Sequence, residues 1–124
     1  MKNKIKVFSV YESYTGFERT YPLGDIFTPK YAFDALENPL AEIIMDAVQN
    51  FLRKELRPKG YKIRSTDRWG DVPEIRSFED NSGVEYKPNN NFDPITNFWE
   101  SIEHFPEDIK EAFKKLEGTT LKLG

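Results

Sequence analysis

The chain has 124 residues, a mass of 14.5 kDa and a formal net charge of −3, with no Cys and one His. That length suits one domain with one core, and the missing cysteines exclude thiol catalysis, disulfide frameworks and Cys-based zinc sites. A Ser-His-Asp triad or a His-rich metal centre would have to rest on His104 alone.

Ile, Leu, Val and Phe make up 32 of the 124 residues, above the level of a disordered chain. Ten Phe, six Tyr and two Trp mean that rings supply much of the apolar surface. At the N-terminus Lys2, Lys4 and Lys6 are followed by an apolar stretch broken at Ser9. It is too short for a secretory h-region, and no window reaches the ~20 apolar residues of a membrane span. A cytoplasmic protein with no membrane contact is the expectation.

Residues 4–14 alternate as a strand, with Ile5, Val7, Ser9 and Tyr11 on one face and Phe8, Val10 and Tyr14 on the other. Gly16 marks a turn, and residues 17–23 return as a second strand. The stretch 24–37 has no lasting period but is apolar at Ile26, Phe27, Tyr31, Phe33 and Leu36, which predicts a packed loop with a helical turn. Asn38 and Pro39 then form a cap-and-proline signal, and Pro58 stops the helix that follows. The spacing predicts a central helix over 39–57, with Leu40, Ile44, Ala47, Val48, Phe51 and Leu52 in one stripe. Ala41, Ile43, Met45 and Leu56 widen it enough to imply burial on more than one side.

Beyond Gly60, residues 61–66 read as a strand. Residues 73–78 and 84–86 form a hairpin whose loop, Glu79 to Gly83, is longer than two residues. Asp93-Pro94 repeats the cap signal for a helix carrying Ile95, Phe98, Trp99, Ile102 and Phe105. Pro106 restarts the chain, and Ile109, Ala112, Phe113 and Leu116 mark a last helix ended by Gly118, with residues 119–123 as an edge strand. The expected fold is α+β, one domain over 1–124: a small, mostly antiparallel sheet packed on the central helix and two shorter C-terminal helices.

The charge is unevenly placed. Residues 1–70 carry 12 Lys and Arg against 9 Asp and Glu, whereas residues 71–124 carry 6 against 12. Between Arg53 and Trp69 lie Arg57, Lys59, Lys62, Arg64 and Arg68, with Tyr61 and Trp69 interleaved. Such a run can track a phosphate backbone while its rings stack on bases, which makes Arg57, Lys59, Tyr61, Lys62, Arg64, Arg68 and Trp69 a candidate nucleic-acid or anion site. The same cations would also complement a helix C-terminus and continue along a solvated strand edge.

Glu100, Glu103, Glu107, Asp108 and Glu111 crowd the C-terminal helices. A dense anionic face can occupy a partner's basic channel, or it can be a solvated helix face. With Tyr14, Phe17 and Tyr31, rings placed near turns, these acids form a candidate protein interface.

For chemistry, Asp67 and Asp71 flank Arg68, Trp69 and Gly70. That run could serve a small carboxylate hydrolase or act as a surface turn. The seven glycines are scattered, so no phosphate loop forms, and no catalytic, metal or cofactor motif appears. The expected function is a small non-enzymatic binding protein that regulates or inhibits a larger protein or ribonucleoprotein. Mobile elements encode proteins of this kind against nucleic-acid-handling enzymes, anti-CRISPR inhibitors among them. That expectation is an analogy of class with no motif behind it. Direct RNA or DNA binding through residues 53–69 is the alternative.

Overall fold

The fold is that of a computed structural model, which describes residues 7–13, 15–27, 40–66, 74–88 and 98–123. In chain order these form β1 (Val7–Glu12), β2 (Phe17–Pro22), a 3-10 turn (Leu23–Phe27), α1 (Ala41–Leu56), a second 3-10 turn (Arg57–Lys59), β3 (Lys62–Thr66), β4 (Glu74–Glu79), β5 (Glu85–Tyr86), α2 (Phe98–Ser101), α3 (Glu107–Glu117) and β6 (Thr120–Leu123). The class is α+β with α1 at its centre, as the spacing predicts. The cap signals at Asn38-Pro39 and Asp93-Pro94 lie outside the described residues.

The strands divide between two three-stranded sheets, ordered β2-β1-β6 and β3-β4-β5. In the first, β1 and β2 are antiparallel, Val7 opposite Pro22 and Glu12 opposite Phe17. β6 takes the edge beside β1 and runs parallel to it, Ser9 opposite Thr120. The second sheet is antiparallel throughout, with an irregularity in β3 between Arg64 and Ser65. A period of two explains which face of β1 turns inward: Phe8 and Val10 are buried, Val7, Ser9 and Tyr11 only partly.

One cluster of buried side chains joins both sheets and the three described helices. α1 contributes Ala41, Ile44, Met45, Val48, Leu52 and Leu56, and the first 3-10 turn contributes Leu23, Ile26 and Phe27. The ring of Phe113 lies at its middle, with centroids 6.1 Å from Phe27, 5.7 Å from Phe78 and 5.3 Å from Phe98. Ile43 departs from the predicted stripe and is 43% exposed. A side chain one residue before Ile44 points about 100° away from it, so apolar character alone does not place it on the core face.

α2 ends at Ser101, ahead of Ile102 and Phe105, which the apolar spacing places on it. The Ser101 hydroxyl donates to the Phe98 carbonyl at 2.7 Å, and Phe105 N–H reaches back three residues to Ile102. Such local bonding competes with the helical ladder, and Pro106, which has no N–H, completes the break. At this corner His104 Nε2–H donates to the Lys87 carbonyl at 2.8 Å, and its ring stands edge-on to Phe105. His104 therefore ties the α2–α3 corner to the end of β5. α3 begins with Glu107 and Asp108 and ends with Lys114 and Lys115, matching its dipole at both ends.

Among the described residues, no helix is long and apolar enough to cross a membrane.

Candidate anion-binding cleft

Three local features bring the basic segment to one place. The last turns of α1 put Arg53 and Arg57 four residues apart on one side of the helix. Gly60 then reverses the chain in the left-handed region, with φ of +92°, a conformation glycine adopts without a Cβ penalty. Tyr61, Lys62 and Ile63 leave that turn beside the loop between β4 and β5. Asn81 from this loop lies so close to Gly60 that a Cβ there would stand 2.5 Å from its Nδ2.

The result is an open cleft of about 490 Å³ lined by Arg53, Arg57, Tyr61, Lys62 and Asn81, with Gly60 and Ile63 completing the wall. Its lining holds three cations and no carboxylate. Arg57 and Lys62 are exposed, and among the described residues neither has an acid within ion-pair distance. A second hollow, lined by Asn50, Arg53, Lys54, Arg57 and Pro58, continues the basic surface along α1.

Arg53 is held from behind. Its Nη2 donates to Gln49 Oε1 at 2.8 Å, and the Gln49 side chain, only 3% exposed, is among the few buried polar groups. Gln49 Nε2 has no partner among the described residues. A buried amide hydrogen without an acceptor costs about 1–3 kcal/mol. Replacing Gln49 by Met, of similar shape, removes that penalty at the loss of one partly exposed hydrogen bond. We expect Gln49→Met to be more stable by about 1 kcal/mol in denaturant titration; a less stable variant would show that the amide is satisfied in solution.

Two other cations of the segment are already engaged. Lys59 Nζ lies 3.7 Å from Asp108, and Arg64 lies 3.4 Å from Glu79. The candidate acidic face is neutralised in the same way: besides Asp108, Glu107 and Glu111 lie 3.5 Å and 3.9 Å from Lys110 and Lys114. Glu100 and Glu103 are exposed and have no cation at that distance among the described residues. Phe17 is 60% exposed at the β1–β2 turn. Arg68, Trp69, Tyr14 and Tyr31, and Asp67 with Asp71, lie outside the described residues. Gln49, Arg53 and Asn81 join the site beyond the predicted set. The spacing of four from Gln49 to Arg53 to Arg57 is a signal in the sequence; Asn81 has none.

The hairpin beside the cleft is built on Asp80. Its Oδ1 accepts from the N–H groups of Ser82 and Val84 at 2.9 and 3.0 Å, and its Oδ2 accepts from the Tyr86 hydroxyl at 3.1 Å. These bonds, the Val84 N–H foremost, hold the Asp80 carboxyl below its ordinary range. Partial desolvation first, and then Asp80, push the Tyr86 hydroxyl up. Tyr61 is pushed up mainly by burial and then by Asp108 and Asp80, so it keeps its proton.

The signs fix a pH window. A lowered carboxyl stabilises the fold above its unfolded value and loses that contribution as pH falls through the folded one. A raised phenol contributes below about pH 10 and loses its contribution as pH rises past the folded value. We expect the stability difference between wild type and Asp80→Asn to be flat from about pH 5 to pH 9 and to shrink below about pH 4. Thermal melts across that range check it; a difference unchanged at low pH would remove Asp80 from this role.

No protein-family model, curated protein or solved structure matches the chain. Among the described residues, no group of three or more His, Cys, Asp or Glu is placed to hold a metal ion.

Proposed function

We propose that this chain is a small, non-enzymatic binding protein that regulates or inhibits a larger partner by holding the partner's anionic groups in the cleft at the end of α1. The observation that carries this reading is the pair Arg57 and Lys62, exposed and without an acid partner among the described residues, at the mouth of a cleft whose lining has no carboxylate. Charges left unpaired on a surface are available to an opposite surface, and they steer its approach. An inhibitor of a nucleic-acid-handling enzyme is the instance we favour, because such a cleft competes for the phosphates that the enzyme itself must hold. The acidic face supports a working surface less well, since three of its five carboxylates sit beside lysines.

Capture from an extract of the native host tests the reading. The immobilised chain should retain a partner that the variant Arg57→Glu, Lys62→Glu loses. A partner kept equally by both, or none at all, overturns it.

A further inference from the structure

The cleft has more in it than positive charge. Beside Arg53, Arg57 and Lys62 its lining includes Tyr61, half-buried against the core, and Asn81. Carboxylates on a protein surface would need only the cations. A ring beside guanidinium planes suits the flat face of an unpaired base, and an amide carries both a donor and an acceptor for a base edge. The volume of about 490 Å³ falls within the range of small-ligand sites.

We propose that the cleft binds single-stranded nucleic acid: Arg53, Arg57 and Lys62 hold backbone phosphates, Tyr61 stacks on one base, and Asn81 contacts that base's edge. The inference rests on the binding function proposed above and names the chemical class of the partner's anionic groups. Gln49 is a positioning residue in this site. Its buried Oε1 fixes the Arg53 guanidinium, so the ligand does not have to order that side chain on binding. The left-handed Gly60 sets the direction in which Tyr61 and Lys62 leave α1, next to Asn81.

Fluorescence anisotropy with labelled single-stranded RNA and DNA oligonucleotides of roughly 12 nucleotides tests the site. Three phosphate contacts predict a log–log salt slope of roughly −2 for a single strand, so affinity should fall roughly 20-fold between about 50 and about 200 mM salt. Tyr61→Leu should weaken binding on the order of 10-fold with the salt slope unchanged. Gln49→Met should bind more weakly, with a slope shallower by about 0.7, although it should be the more stable protein. A merely structural role for Gln49 would not give weaker binding to a stabilised variant. Lys122→Met on β6 is the control and should lower neither affinity nor slope appreciably.

RNA bound in preference to DNA, or the reverse, identifies the natural strand; both results support the site. Equal affinity for a duplex of the same length overturns it, since paired bases offer Tyr61 no free face. Binding indifferent to the Tyr61 and Gln49 variants overturns it too. Absence of oligonucleotide binding at low salt, with a host partner still captured through Arg57 and Lys62, overturns the nucleic-acid site and leaves the binding function standing. Failure of both experiments removes both.

Discussion

Replacing Phe113 by Ala should destabilise the protein by about 3–5 kcal/mol. The side chain is fully buried, and its ring meets those of Phe27, Phe78 and Phe98, two of them edge-on. These partners come from the first 3-10 turn, β4 and α2, so the cavity would open where four elements meet. Rings cannot close such a void without leaving their own rotamer wells, and the edge-to-face contacts are lost as well. Against a total stability of about 5–15 kcal/mol for ordinary domains, the loss amounts to about a fifth or more. A denaturant titration should show the midpoint falling with little change in slope. Phe17→Ala, at a ring 60% exposed, should stay within about 0.5 kcal/mol of wild type. Similar shifts for the two variants would show that the ring cluster is not the centre of the core.

The second large effect concerns binding. Reversing both Arg57 and Lys62 to Glu replaces two attractions by two repulsions in one cleft, which should weaken capture of the partner on the order of 100-fold. Both side chains are exposed and no described acid depends on either, so the fold should lose less than about 1 kcal/mol. The same reversal at Lys59 would behave differently. Lys59 is committed to Asp108 on α3, so a Glu there would place like charges together across the contact between the end of α1 and α3. Melting temperature and partner retention measured on the same preparations separate the two effects. A double variant that binds normally would move the working surface away from the cleft.

Local patterns carried most of the secondary structure. The end of α1 two residues before Pro58, the turn at Gly16, the five-residue hairpin loop and the stop at Gly118 each follow from residues beside them. What a local pattern cannot supply is which strand lies next to which. β1, β3 and β6 are all short strands with no mark of their neighbours, and only the fold puts β6 parallel to β1 and β3 in a separate sheet. The same limit applies to side chains on α1. Ile43 is exposed and Gln49 buried, because the helix surface turns by about 100° per residue while composition carries no angle.

At the site, Arg57, Tyr61 and Lys62 were legible because they are neighbours in one run. Lys59 and Arg64 belong to the same run, but their acid partners, Asp108 and Glu79, come from other elements, α3 and β4. Asn81 reaches the cleft only because the hairpin loop folds back onto Gly60. A charge count over a segment adds up ions; it does not say which of them have been neutralised by the fold.

The parallel pairing of β6 with β1 also governs when the fold can be completed. Ser9 and Thr120 face each other although 111 positions separate them, so this contact closes a loop spanning most of the chain. Pairing across such a distance must first overcome the entropy of closure, which slows topologies rich in distant contacts. On a ribosome, one edge of β1 therefore stays open until nearly the whole of this sequence has emerged. An open strand edge is a template for other chains in the meantime. A substitution at the buried Leu121 or Leu123 that weakens this pairing would leave the same edge exposed in the finished protein, turning a passing hazard of synthesis into a lasting one.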